Sequence, residues 1–209
     1  MAAKLFSSSI GKKVGMALTG LLVYGFLVGH LAGNILLLKG DGGEDFNAYS
    51  DFLTHHPLLI PVELVLLAAF VLHIYLGISV SRDNRRARPQ GYQKIRSVGR
   101  RSWASRTMVY SGIVILVFVI LHLKTFKYGD RGSGTLYDLV MDTFAQPLYA
   151  AWYLFAMVVL GFHLWHAFQS AFQTLGFHTH KKFWSVSILL SLVLAGGFGF
   201  FPFWAFFLK

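Results

Sequence analysis

The sequence predicts an all-α membrane protein, a bundle of five transmembrane helices, and three observations lead to that prediction. The chain has 209 residues, of which 55% are hydrophobic and only 13% are charged, a balance too apolar for a water-soluble domain of this length. Five stretches reach the roughly 20 mostly apolar residues that a spanning helix needs. The basic residues are concentrated between those stretches. We expect one domain over residues 1–209, with spans at about 14–38, 58–80, 107–126, 148–172 and 183–208.

The first apolar stretch follows Lys4, Lys12 and Lys13, so the N-terminus superficially resembles a secretory signal peptide. The run from Val14 to Leu38 is too long for the hydrophobic part of such a peptide and contains no small-x-small cleavage site. The sequence therefore predicts a retained first transmembrane helix.

The loops predict the orientation of the bundle, because arginine and lysine in short loops remain on the cytoplasmic side. Residues 82–106, here called the basic loop, carry nine arginine and lysine residues against the single acid Asp83. The N-terminal lysines share that side, whereas the loops on the other side carry mostly acids. We expect the N-terminus to be cytoplasmic and the C-terminus external.

Smaller features of the loops are also predicted. Within the basic loop we expect a short interfacial helix at residues 92–103. The loop acts either as a topology determinant alone or also as a docking surface for a soluble subunit. The glycines at 42–43 and within 129–134 predict ordinary external turns.

Composition disfavours or excludes several functions. The net charge is +10, but the basic clusters lack the interleaved aromatic residues that stack on bases, which disfavours nucleic-acid binding. None of the 209 residues is a cysteine, which excludes disulfides, thiolate metal sites, iron–sulfur clusters and covalently attached haem within these residues. A redox centre held by this chain would need histidine, methionine or oxygen ligands.

Four histidines lie inside four different apolar stretches: His30, His73, His122 and His163. Alone, each is explained either by an interhelical hydrogen bond or by a role as ligand. His30 and His122 lie 17 and 16 residues beyond the basic flanks of their spans. His73 and His163 lie 16 and 17 residues beyond the outer flanks of theirs. The four histidines therefore form two pairs at two depths.

Each pair predicts a haem b with histidine on both faces of the iron. Imidazoles facing each other across helices about 8 to 10 Å apart are too distant to bond directly, but a porphyrin fits between them. Both axial positions are then filled, which suits the iron to one-electron transfer. About eight residues separate the pairs, or roughly 12 Å along the bundle. A four-histidine zinc site is disfavoured because it would need all four side chains at one depth.

Short motifs surround the four histidines. They are Gly29-His30-Leu31, His73 with Gly77 four residues on, Leu121-His122-Leu123, and Phe162-His163 followed by Ala167-Phe168. With these motifs the chain resembles, over essentially its whole length, the membrane anchor of the succinate:quinone oxidoreductase and fumarate reductase family. The resemblance is to the form in which one five-helix polypeptide binds two haems b. Residues 169–176 also resemble anchors of this type from bacteria that use menaquinone.

The resemblance implies how the ligands are used. It pairs His30 with His122 at an outer haem and His73 with His163 at an inner haem. The family has a small residue, usually glycine, four positions after the fourth-helix ligand, and here Ala167 takes that place. This match favours His163 over His166, which lies three residues later and is the alternative inner ligand.

The resemblance also implies partners and a location. A flavoprotein that interconverts succinate and fumarate and an iron–sulfur protein would sit on the cytoplasmic face, the latter on the basic loop. This chain would transfer electrons between them and menaquinone in a bacterial cytoplasmic membrane, without acting on succinate itself. Two alternatives stay open: the cytochrome b subunit of a hydrogenase or formate dehydrogenase, and a haem-free transporter or scaffold whose histidines relay protons.

Glu63 is the only acidic residue within an apolar stretch. A buried carboxylate costs several kcal/mol unless it is paired or protonated. Glu63 is therefore either the group that takes protons from menaquinol beside the outer haem or a protonated carboxyl bonded to backbone or a headgroup. Other candidates for contacts with quinone or haem propionates are Asn34, Tyr75, Arg106 and Ser170.

Overall fold

Seven α-helices account for most of the computed structural model, which describes residues 8–87, 103–177 and 181–209. In chain order they are α1 (Ser9–Asn34), α2 (Glu44–His55), α3 (Leu59–Arg86), α4 (Trp103–His122), α5 (Leu136–Phe144), α6 (Pro147–Thr174) and α7 (Lys181–Phe207). A 3₁₀ turn at Ile35–Leu38 extends α1, and a π turn at Leu123–Lys127 extends α4. None of the described residues forms a β-strand.

Five of these helices, α1, α3, α4, α6 and α7, are long and apolar enough to cross a membrane. The prediction of an all-α membrane protein with five spans is confirmed, and the chain is a multi-pass membrane protein. Helix α3 continues to Arg86, six residues beyond the predicted end of its span, since arginines in the last turn favour the negative end of the helix dipole. The interfacial helix expected at residues 92–103 lies outside the described residues, except at Trp103, where α4 begins.

The glycines at 42–43 and within 129–134 lie in turns and bends, as predicted, and each turn leads into a short helix, α2 or α5, that the sequence did not predict. Gly43, with φ of 91°, adopts the left-handed conformation from which α2 starts, and Glu44 and Asp45 follow in its first turn. Helix α5 starts with a capping box, in which the Thr135 side chain accepts from the Asp138 backbone and the Asp138 carboxylate accepts from the Thr135 N–H at 2.8 Å. Residues typical of turns act here as helix caps.

The Thr135→Ala variant is expected to loosen α5 and leave the spans unchanged. An N-cap hydroxyl contributes about 1 kcal/mol, so solvent exchange of the α5 backbone amides should rise about fivefold. Hydrogen–deuterium exchange with mass spectrometry measures this on the purified protein. Thr54→Ala is the matched control, because that hydroxyl donates to the Ser50 carbonyl inside α2. Equal α5 exchange in both variants would contradict the prediction.

The same cap has a defined pH dependence. Hydrogen bonds from the Thr135 backbone N–H and then from its hydroxyl hold the pKa of Asp138 below its usual range. A lowered pKa in the folded protein means that the stabilisation is complete above the ordinary aspartate pKa of about 3.9. It is lost as the pH falls through the lower folded value. The capping box of α5 is therefore intact at neutral pH and lost only in acid.

Contacts at the two ends of the bundle relate the chain termini to each other. Lys12 near the start of α1 forms an ion pair of 2.7 Å with Asp83 near the end of α3. At the opposite end, the Tyr137 backbone N–H in α5 donates to Asn47 Oδ1 in α2 at 3.1 Å, and Lys209 donates to the Tyr137 hydroxyl. The termini thus lie at opposite ends, called here the basic end and the loop-helix end. Which end faces the cytoplasm stays a prediction.

Helix α6 lies at the centre of the bundle, packed against α1, α4 and α7, while α3 packs mainly against α1 and makes little contact with α4. A cluster of buried side chains around Tyr153 fills the interior toward the loop-helix end. A second cluster, around Tyr24, fills the middle. A Cβ at Gly197 would lie 2.9 Å from the Leu31 side chain, so this glycine lets α7 approach α1 closely. This packing fixes the heights of the histidines relative to one another.

Candidate functional site

The outer histidines, His30 on α1 and His122 on α4, lie next to each other toward the loop-helix end. Their ring centroids are 5.9 Å apart and their planes are nearly perpendicular. The rings of Phe118 and Phe126 contact His122 with centroid distances of 5.7 and 5.4 Å. The Tyr153 hydroxyl lies 3.3 Å from His122 Nδ1. An aromatic shell from α4 and α6 therefore surrounds the His122 side of this pair.

The inner histidines, His73 on α3 and His163 on α6, each reach across to a neighbouring helix. His73 Nδ1 lies 3.1 Å from the Met16 carbonyl oxygen and 3.3 Å from Thr19 Oγ1, both on α1. His163 Nδ1 lies 3.0 Å from Ser111 Oγ on α4. This pair lies nearer the basic end than the outer pair.

The register of two helices gives the distance between the levels. On α6, His163 follows Tyr153 by ten residues, and Tyr153 lies at the height of His122. On α4, His122 follows Ser111 by eleven residues, and Ser111 lies at the height of His163. At about 1.5 Å per residue the levels are roughly 15 Å apart. This distance exceeds the roughly 12 Å that the sequence predicts. The prediction measured depth from the edges of the apolar stretches, and those edges do not all lie at one depth because the helices extend past them by different amounts.

The spacing of His30 and His122 can be compared with that of two imidazoles on opposite sides of one metal. Two metal–nitrogen bonds of about 2 Å on opposite faces would hold the ring centroids roughly 6 Å apart, close to the 5.9 Å between His30 and His122. The hydrogen-bond contacts of His73, His163 and His122 are made by Nδ1, and in such rings Nε2 is the nitrogen that a metal would use. Among the described residues no three histidine, aspartate or glutamate side chains converge on one point, so these residues form no polydentate side-chain metal site.

Two buried donors add to the fit. Among the described residues, the Tyr24 hydroxyl and the Trp152 indole nitrogen are buried without a hydrogen-bond partner. A buried donor without an acceptor costs about 1 to 3 kcal/mol, and such groups are rare in folded proteins. A bound group with acceptor oxygens, such as the carboxylates of haem, would satisfy them.

Glu63 lies near the start of α3 and forms an ion pair with Lys127, the last residue of the π turn after α4. Its side chain is 38% exposed on the surface of the chain. The position close to the helix start brings the carboxylate to the loop-helix end, where Lys127 neutralises its charge. The pair joins α3 to the extension of α4. A role for Glu63 in proton transfer stays a prediction.

The other residues predicted to contact quinone or haem propionates, and the alternative ligand His166, lie in different parts of the bundle. Asn34 donates from Nδ2 to the carbonyl four residues earlier on α1, at 2.7 Å, which places it beside the outer pair. Tyr75 is 63% exposed and points away from the interior. The Ser170 carbonyl accepts from a hydroxyl one turn later on α6. His166 is partly buried one turn beyond the inner ligand on α6, and the side chain of Arg106 lies outside the described part of the chain.

The structure adds three residues that the sequence interpretation did not single out: Thr19, Ser111 and Tyr153. Thr19 and Ser111 each precede a glycine within an apolar stretch, forming the dipeptides Thr19-Gly20 and Ser111-Gly112. That repeated hydroxyl–glycine pair is a pattern from which they could have been found. Tyr153 is one of many aromatic residues in these helices, and nothing in the sequence distinguishes it.

The fold and the site define the chain as a multi-pass helical membrane protein with histidines at two levels of its interior. Residues 82–198, more than half of the chain, match the family described as succinate dehydrogenase/fumarate reductase transmembrane subunit. The chain belongs to that family, which confirms the family that its motifs resemble. The matched region includes His122 and His163, whereas His30 and His73 precede it. No curated protein and no solved structure gives a significant match to the chain.

Proposed function

We propose that this chain is the dihaem cytochrome b membrane anchor of a succinate dehydrogenase or fumarate reductase. In this role it passes electrons between menaquinone and the soluble subunits of the complex. The observation that carries the proposal is the occurrence of imidazoles at two separate levels inside a bundle that belongs to this family. The whole chain, residues 1–209, acts as one transmembrane domain.

The four histidines would bind two haems b, two histidines to each haem. His30 and His122 hold the outer haem, and His73 and His163 hold the inner one. Haem iron with both axial positions filled supplies one-electron transfer. The histidines would hold these groups at two levels roughly 15 Å apart along the bundle. Tyr153, Phe118 and Phe126 restrict water at the outer level.

At the loop-helix end, Glu63 takes the protons that menaquinol releases as its electrons enter the outer haem. The carboxylate lies near the external ends of α3 and α4 and is 38% exposed, so both quinol and water can reach it. The ion pair with Lys127 holds the carboxylate at this end of the bundle. Asn34 lies at a similar height on α1.

At the basic end, the chain docks an iron–sulfur subunit and, through it, a flavoprotein subunit that interconverts succinate and fumarate. The basic loop carries nine arginine and lysine residues, a charge that suits both a protein surface of opposite sign and a cytoplasmic location. We place this end in the cytoplasm of a bacterium and the C-terminus outside its inner membrane. Membership in the family makes the hydrogenase and formate dehydrogenase alternative less apt.

Purification of the intact complex tests this function. The expected preparation contains two haems b per anchor chain with a low-spin spectrum, together with covalent or tightly bound flavin and an iron–sulfur subunit. A colourless anchor would refute the haem assignment and favour a haem-free scaffold. A haem-containing chain that copurifies with a different dehydrogenase would refute the assignment to succinate or fumarate.

A further inference from the structure

We propose that Thr19 and Ser111 are positioning residues that fix the tautomer of the two inner histidines, so that Nε2 of each ring is free to bind iron. This inference rests on the proposed function, since it concerns residues behind the ligands of the inner haem. The tautomer of each histidine follows from which acceptor receives the hydroxyl proton of Thr19 and of Ser111.

The Ser111 hydroxyl has a single proton, and it donates to the Met108 carbonyl of its own helix at 3.0 Å. While that bond is made, the Ser111 oxygen can only accept, and the contact of 3.0 Å between Ser111 Oγ and His163 Nδ1 takes its proton from the imidazole. On this assignment His163 carries hydrogen on Nδ1. In a neutral ring Nε2 then holds the lone pair, which is the form that binds a metal.

Thr19 repeats this arrangement on the other helix pair. Its hydroxyl donates to the Gly15 carbonyl at 2.8 Å, so toward His73 Nδ1 at 3.3 Å its oxygen can only accept. The Met16 carbonyl, 3.1 Å from the same Nδ1, can also only accept. Two acceptors therefore point at one nitrogen. His73 is fixed as the Nδ1–H tautomer, with Met16 as a second acceptor if Thr19 is lost.

The residue after each hydroxyl makes room for the imidazole. A Cβ at Gly20 would lie 3.0 Å from His73 Cε1, and a Cβ at Gly112 would lie 3.9 Å from His163 Cε1. The glycine next to Thr19 lets the ring approach α1, and the glycine next to Ser111 lies against the ring on α4. Thr19-Gly20 on α1 thus lies beside His73 of α3, and Ser111-Gly112 on α4 lies beside His163 of α6.

The consequence is a tuned inner haem. An imidazole whose Nδ1–H is bonded to an acceptor is more basic and stabilises ferric iron over ferrous iron. Removing the acceptor should raise the midpoint potential of the inner haem. If the ferric form is weakened roughly tenfold more than the ferrous form, the rise is about 59 mV. The outer haem should keep its potential.

The test compares Ser111→Ala, Ser111→Thr and Thr19→Val in the intact complex, using redox titration and low-temperature EPR of each haem. We expect Ser111→Ala to raise the inner potential and shift the EPR g-values of that haem, and Ser111→Thr to restore both. Thr19→Val should give a smaller shift, because Met16 still accepts from His73. Selective loss of the inner haem in Ser111→Ala, rescued by Ser111→Thr, would also support the proposal.

Ser191→Ala is the matched control. Ser191 is a buried serine of α7 that donates to the Ile188 carbonyl at 2.8 Å, the same bond to its own helix that Ser111 makes. An unchanged inner haem in Ser111→Ala, or an equal shift in Ser191→Ala, would overturn the inference and leave the dihaem function standing. A wild-type complex without haem would overturn both.

Discussion

The His73→Ala variant is expected to contain one haem b per anchor chain instead of two. His73 comes from α3, and its partner His163 comes from α6, so removing one axial ligand leaves the inner haem with a single protein bond. The proposed ligands of the outer haem, His30 and His122, lie at a level roughly 15 Å away along the bundle, so that haem should be retained. The ratio of extracted haem to protein, with the optical spectrum of the remaining haem, measures the result.

Two further variants make the assignment specific. His163→Ala should reproduce the loss of the inner haem, because it removes the opposite ligand. His166→Ala is the matched control one turn further along α6, and it should retain two haems. Loss of both haems, or of neither, in His73→Ala would contradict the division into two levels. Loss of one haem in His166→Ala but not in His163→Ala would transfer the ligand role to His166.

The Glu63→Gln variant is expected to keep both haems and to lose quinone-linked turnover by at least roughly 100-fold, the low end of what a positioned proton acceptor contributes. Glutamine has the same shape and can still hydrogen-bond to Lys127, but it cannot take a proton. Succinate oxidation with a soluble electron acceptor should be unaffected, since that reaction bypasses the quinone. The ratio of the two activities is the measurement.

Lys127→Gln separates proton transfer from a structural role. It breaks the same ion pair but leaves the carboxylate in place. If Glu63 accepts protons, Lys127→Gln keeps substantial quinone activity, because the carboxylate that accepts them is still present. Equal loss in both variants would show that the pair only joins α3 to α4, and full quinone activity in Glu63→Gln would exclude the proposed role.

The fold was predictable because the length of each apolar stretch can be read directly from the sequence. Each apolar stretch must satisfy its own backbone hydrogen bonds in lipid, so a helix is the form it adopts. The helix ends were less predictable, as the extension of α3 to Arg86 illustrates. Helices α2 and α5 were missed because glycine, threonine and acidic residues favour turns and helix caps alike.

The four histidines could be singled out from the sequence, whereas the side chains around them could not. A histidine in an apolar span is conspicuous, and equal depths suggest the pairs. The depth argument cannot say which side chains lie behind the ligands, because that depends on how the helices are rotated. Ser111 and Thr19 became visible only once α4 faced α6 and α1 faced α3. The ion pair between Glu63 and Lys127 likewise depends on how two different spans pack against each other.

The extension of α3 has a consequence for how the complex assembles. Its last six residues rise about 9 Å beyond the predicted end of the span, and they carry the exposed side chains of Arg82, Arg85 and Arg86. The single acid in this segment, Asp83, is paired with Lys12 and ties the helix end to α1. The arginines thus lie up to about 9 Å beyond the predicted end of the span, at the basic end of the bundle. An acidic partner that docked at this end would bind more slowly as salt is added, because salt screens exposed charges.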